Sequence, residues 1–245
     1  MVRSPRRRSG VQPFRSAVVV MISTALASVS AVGPASSRPA SAEAAAAILG
    51  IGTAASASAP AVRGTRVTPV SPGCGARDVF VMGDSLTVGS TFPGGFIGSS
   101  ERAGLTATVD AKVGRSTPTG TRILSSRAGA GLLEPLVLVA LGTNDVAFGI
   151  STLRAESLIT QVLSAVGPGR TIVWINLRLR RQDRAQPFND ALTRLAAVHP
   201  NLRVADWASN PASTQLAPDG VHLSTSGYRA RAAFMVDALL RLPCS

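Results

Sequence analysis

Three short polar segments, far apart in the chain, carry the residue types of acyl-transfer chemistry: Gly83-Asp84-Ser85-Leu86, Gly142-Thr143-Asn144-Asp145 and Asp219-Gly220-Val221-His222. Ser85 offers a hydroxyl, a weak nucleophile until a neighbouring base takes its proton. His222 is the candidate base, able to return that proton to a leaving group. Asp219, three residues earlier, can reach the other imidazole nitrogen, where it would fix the tautomer and stabilise the imidazolium. A tetrahedral oxyanion also needs N–H donors. The backbone N–H groups of Ser85 and Gly114 and the side-chain amide of Asn144 are the candidates. Gly114 would let its N–H approach a substrate with no Cβ in the way. The chain has one other histidine, His199, in Val198-His199-Pro200 at a helix end, where a capping or surface role is expected.

The elements around these residues must bring them together. Short apolar runs give strand candidates at Val79–Met82, Ala107–Asp110, Leu136–Leu141, Thr171–Asn176 and Arg203–Asp206. Leu136–Leu141 is apolar throughout, as in a strand covered on both faces of a parallel sheet. Thr152–Val166, Phe188–Val198 and Ser226–Leu242 read as helices. Leu153, Ile159, Val162, Leu163 and Val166 lie on one side of the first, which stops at Gly167-Pro168-Gly169. Alternating strands and helices predict an α/β fold with a mainly parallel sheet. Such a sheet collects its strand C-terminal ends along one edge, where ligands bind. The Ser85, Gly114 and Asn144 segments each leave a strand at that edge, and Asp219 and His222 precede the last helix.

Charge and cysteine usage set the compartment. Lys and Arg total 25 against 13 Asp and Glu, but Arg3, Arg6, Arg7, Arg8, Arg15 and Arg38 all precede the first acidic residue, Glu43. Those arginines, the apolar stretch Ala17–Val32 and Ala40-Ser41-Ala42 fit a secretion signal over residues 1–42. An uncleaved anchor is the other reading of that stretch. Residues 43–72, rich in Ala, Ser and Pro, read as a flexible linker. Residues 73–245 form the catalytic domain. Its remaining basic excess suits an acidic envelope polymer or anionic membrane surface. The scarcity of aromatics, and the absence of Lys/Arg runs interleaved with them, argue against nucleic acid. Cys74 and Cys244 bracket the domain and are expected to form one disulfide in an exported protein. Neither has a His or Cys at metal-ligand spacing, and no metal or cofactor is expected.

These segments together resemble the SGNH hydrolases, also called the GDSL esterase/lipase family, over about residues 77–242. Gly83-Asp84-Ser85-Leu86, Gly114, Gly142-Thr143-Asn144-Asp145 and Asp219-Gly220-Val221-His222-Leu223 look like its four blocks, in order. The resemblance implies a flavodoxin-like three-layer α/β/α sandwich around a mainly parallel five-stranded sheet, an acyl-serine intermediate and no metal. Val109–Arg115, Asn176–Arg181 and Val204-Ala205-Asp206-Trp207 look like the SGNH domains of membrane acyltransferases that O-acetylate envelope polysaccharides.

The resulting expectation is an exported serine esterase acting on small, acetyl-type esters of carbohydrate or envelope material. One alternative is an O-acyltransferase served by a separate membrane partner that supplies the donor. Another is a non-catalytic envelope-binding module on a stalk. Asp84 and Asp145 are expected to hold the crevice loops. Arg115 would meet an acidic or carbohydrate acceptor, or else form an exposed ion pair. Arg178, Arg180, Arg181 and Arg184 form either a basic rim or a solvated loop.

Overall fold

A computed structural model describes residues 77–242. The expected signal, the linker and the cysteines Cys74 and Cys244 lie outside the described residues. Five strands, β1 (Asp78–Gly83), β2 (Thr106–Ala111), β3 (Leu136–Ala140), β4 (Thr171–Ile175) and β5 (Leu202–Ala205), form one sheet in the order β2-β1-β3-β4-β5. Every pairing is parallel. This is the flavodoxin-like order, and it reverses direction beside β1.

Strand side chains alternate between two apolar layers, as a pleated strand requires. Phe80 and Met82 of β1, Val137 and Val139 of β3, and Ile172 and Trp174 of β4 face one core. Val79 and Val81, Leu136 and Leu138, and Val173 and Ile175 face the other. The helices α3 (Thr117–Gly129), α4 (Thr152–Val166) and α5 (Gln182–Val198) supply Leu124, Ile159, Val162, Phe188 and Leu192 to the first core. The helices α2 (Phe96–Arg102) and α6 (Thr225–Leu240) supply Phe96, Met235 and Leu239 to the second. A short helix, α1 (Ser85–Thr91), packs against α6. The three-layer α/β/α sandwich expected from the sequence is the one found.

The helix expectations need three corrections. Leu153 does not join the apolar face of α4; it is 78 % exposed in the first turn, ahead of the buried stripe that begins at Ala155. Helix α5 starts at Gln182, not Phe188, with Pro187 inside it. Pro187 is the sixth residue, where it removes the i→i−4 bond to the Asp183 carbonyl, yet the helix runs through it. Helices α2 and α3 had no sequence signal strong enough to name. Helix α3 contains Gly120 and several Ser and Thr residues and buries only Thr117, Gly120 and Leu124.

Candidate active site

Each segment of interest leaves the sheet at its C-terminal edge, and each is tied down by a different device. Asp84, directly after β1, caps α1: its Oδ1 accepts from the Leu86 N–H at 2.9 Å. Asp84 has no exposed surface, and burial pushes its carboxyl up, opposed first by the charge of Arg231. Ser85 is the first residue of α1 and is partly exposed, so its hydroxyl stands at the surface on a helix rooted in the interior.

The second segment contains Asp219 and His222. His222 Nε2 lies 3.0 Å from Ser85 Oγ, and His222 Nδ1 lies 2.7 Å from Asp219 Oδ2. The other oxygen of Asp219, Oδ1, accepts from the Val221 and His222 N–H groups, both at 2.9 Å. The spacing of three therefore has a local cause. One carboxylate closes the turn with one oxygen and holds the ring with the other. The Val221 N–H, followed by the His222 ring bond, brings the Asp219 carboxyl down to about 2. A charged carboxylate can only accept, so Nδ1 carries the proton in the neutral imidazole and Nε2 is left free to accept from the Ser85 hydroxyl. This is the geometry of a serine activated by a general base, with the base oriented by an acid.

The oxyanion candidates lie on three segments, those that follow β1, β2 and β3. Ser85 and Gly114 N–H have no acceptor among the described residues. Asn144 donates one N–H of its amide to the Arg115 carbonyl at 3.0 Å and retains a second. Gly114 has φ +74°, and a Cβ there would meet nothing within 4 Å. The left-handed backbone is one reason for glycine there, and the space beside it is open to an approaching substrate.

Arg115 is also placed differently from either expectation. It is buried, and its guanidinium donates to the Asp110 carbonyl at 2.5 Å, the Asp110 carboxylate at 2.5 Å and the Gly83 carbonyl at 3.2 Å. It thus joins the ends of β1 and β2, while its own carbonyl holds Asn144. Asp145 acts in parallel: its Oδ2 accepts from the Thr117 N–H at 2.9 Å and the Thr117 hydroxyl at 2.7 Å, fixing the loop after β3 to the start of α3. Sequence alone gives no sign that Arg115 turns inward, because its partners Asp110 and Gly83 become neighbours only when β1 and β2 pair.

The arginines after β4 do not form one rim. Arg181 pairs with Asp183 at 2.7 Å in solvent, and Arg184 donates to the Ala147 carbonyl. Arg178 reaches toward the Ala208 carbonyl at 3.5 Å. Arg180 bonds the turn that carries Asp219. His199 caps the C-terminal end of α5, away from these segments.

The model of the GDSL-like Lipase/Acylhydrolase family matches residues 81–230, from β1 into α6. The chain belongs to this family. Solved structures share its fold. The lipase/acylhydrolase from Enterococcus faecalis superposes with a TM-score of 0.58 at 20 % identity, covering 69 % of this chain and 98 % of that one. The C-terminal catalytic domain of the Streptococcus pneumoniae peptidoglycan O-acetyltransferase A, solved with a methylsulfonyl adduct, gives 0.54 at 19 % identity, covering 67 % and 90 %. The esterase EstA from Pseudoalteromonas sp., inhibited by monoethylphosphonate, gives 0.55 at 13 % identity, covering 66 % and 96 %. No curated protein matches the chain. At these identities the structures speak for the fold. Membership of the acylhydrolase family implies hydrolase or esterase activity in general.

Proposed function

We propose that this family member is an exported serine esterase that removes small acyl groups, acetyl foremost, from carbohydrate or cell-envelope material through an acyl-Ser85 intermediate. The observation that carries the reading is the continuous chain Ser85 Oγ–His222 Nε2–His222 Nδ1–Asp219 Oδ2, with links of 3.0 and 2.7 Å. Ser85 Oγ attacks the ester carbonyl as its proton passes to His222 Nε2. The oxyanion is met by the N–H groups of Ser85 and Gly114 and the second N–H of Asn144. The imidazolium, held by Asp219, protonates the departing alcohol. Water then gives a proton to His222 and attacks the acyl-serine, and His222 returns that proton to Ser85 Oγ as the acid leaves.

The openness of the site favours an ester carried on a large molecule. The side chains of His222 and Asp219 are 41 % and 51 % exposed, so a polymer-borne ester can reach them without entering a deep channel. The N-terminal signal and the Cys74–Cys244 disulfide expected from the sequence belong to the same proposal and support a location outside the cytoplasm. The likeness to the peptidoglycan O-acetyltransferase domain supports a second reading. In it, a sugar hydroxyl takes the place of water and a separate membrane partner supplies the donor.

The test is hydrolysis of p-nitrophenyl acetate, butyrate and octanoate by the purified chain, with Ser85→Ala alongside. Falling rates with chain length, and none in Ser85→Ala, are the expected result. Equal activity in the Ser85→Ala protein would refute the acyl-Ser85 route. With an oligosaccharide acceptor present, an excess of acylated sugar over free acetate would move the assignment to the transferase.

A further inference from the structure

The turn bearing Asp219 and His222 carries the most exposed catalytic side chains, although Val221 and Leu223 beside them pack against the two cores. Pro218 and Asp219 are exposed. The internal bonds are those of a small hairpin. Leu216 and Leu223 pair antiparallel, the Ala217 N–H donates to the His222 carbonyl at 2.7 Å, and the Gly220 N–H donates to the Ala217 carbonyl at 3.0 Å. These bonds shape the turn. They do not set where it stands relative to Ser85, which belongs to another element.

Among the described residues, hydrogen bonds from outside the hairpin reach residues 217–222 only from Ser85 and Arg180. The Arg180 backbone N–H donates to the Gly220 carbonyl at 2.7 Å. Its guanidinium donates to the Pro218 carbonyl at 2.9 Å and the Ala217 carbonyl at 3.2 Å. Three carbonyls of one turn are thus held by one residue of the segment that follows β4, at the same sheet edge as Ser85. The close approach depends on Gly220, which has φ +72°, and where a Cβ would come within 2.7 Å of Arg180 Cβ. The two prongs of a planar guanidinium hold the angle of a turn as well as its distance, which a point charge on a flexible stem does not. Arg180 makes no ion pair with Asp219 among the described residues; its donors are spent on carbonyls.

We propose that Arg180 is a positioning residue that sets the placement of His222 against Ser85 by clamping the turn to the sheet edge, an inference that rests on the acyl-Ser85 reading above. Misplacing a general base by a fraction of a hydrogen-bond length costs turnover far more than substrate binding. The exposed location means that losing the guanidinium costs the fold little.

The test uses the full chain, unlabelled for kinetics and labelled with 15N-histidine for NMR. Its two histidines make His199 an internal reference for His222. Arg180→Ala is expected to lower kcat for p-nitrophenyl acetate about 10- to 100-fold with KM changed less than about twofold. The His222 Nδ1 proton signal should broaden or vanish while His199 is unchanged and the melting temperature shifts by a few degrees at most. Arg180→Lys, able to reach one carbonyl, should fall between the two. A wild-type kcat with an unchanged His222 signal in Arg180→Ala overturns the proposal. So does a reduced kcat in folded Arg180→Ala with an unchanged His222 signal. If Arg180→Ala does not fold, Arg180→Lys decides by the same readouts: an intermediate kcat with a perturbed His222 signal upholds the clamp, and wild-type values reject it. Failure of the acyl-Ser85 reading looks different. The wild-type serine would then resist an organophosphonate, and the His222 signal, which needs no turnover, would judge the clamp alone.

Discussion

Ser85 stands on the first residue of a helix whose cap, Asp84, is wholly buried, whereas Asp219 and His222 stand on a turn half in water. The nucleophile inherits its position from the core. Strand β1 has no exposed apolar side chain, α1 packs on α6, and Arg115 cross-links the strand ends beneath the crevice. The base inherits its position from the packing of its neighbours Val221 and Leu223 and from a handful of polar bonds: its own Asx-type closure, the hairpin and Arg180. Burial resists displacement through many contacts at once, while a surface turn depends on a few hydrogen bonds that water competes for. Substitutions on the two sides should therefore divide differently between activity and stability.

The largest effect expected is on chemistry alone. Ser85→Ala should lower kcat by about 10⁶-fold with an unchanged melting curve, because the lost hydroxyl is partly exposed. Steady-state kinetics on p-nitrophenyl acetate beside thermal unfolding checks both halves. Asp219→Ala should cost about 10⁴-fold in kcat and again little stability. A large drop in melting temperature for this variant would mean that the turn is part of the cooperative core, which would erase the contrast. Arg115→Met breaks a mostly buried ion pair on the core side. It should lower unfolding free energy in urea by about 3–5 kcal/mol and reduce kcat as well, since the Arg115 carbonyl holds Asn144. A stable but inactive Arg115→Met protein would show that Arg115 serves the site more than the sheet.

The smallest effect concerns pH. The folded Asp219 carboxyl, at about 2, lies below its ordinary value near 3.9. Its contribution to stability is then complete above about pH 4 and lost as pH falls toward 2. The difference in unfolding free energy between wild type and Asp219→Asn should narrow over that interval. Because the group is exposed, solvent screens the effect and keeps it small. A difference that widens on acidification would contradict the assigned bonds.

The sequence marks the central strands β1, β3 and β4 most clearly because each lies between two helix layers and is apolar along most of its length, whereas the edge strands β2 and β5 carry Thr, Asp and Arg. All five strand candidates match observed strands to within a residue or two. Helix α2 escapes because it has only seven residues and buries just Phe96 and Ser100, and α3 because its buried Thr117, Gly120 and Leu124 carry no hydrophobic period. The Asp219–His222 relation is legible since it is local: three residues separate the partners, and the backbone closes the turn by itself. The relation of His222 to Ser85 spans 137 positions and is legible only through the gathering of loops at one edge of a parallel sheet. The inward course of Arg115, the Asp145–Thr117 bond and the grip of Arg180 on residues 217–220 left no trace in residue order.

By itself, the sequence determined the α/β class, the strand positions, the chemical types at the site and the closed Asp219–His222 turn. These depend on composition, on periodicity and on bonds within a few residues. Tertiary structure alone decided which arginines turn inward, what holds each loop and how far His222 stands from Ser85. Those outcomes depend on which strand ends lie side by side. In a parallel sheet ordered β2-β1-β3-β4-β5, neighbours in space are seldom neighbours in sequence.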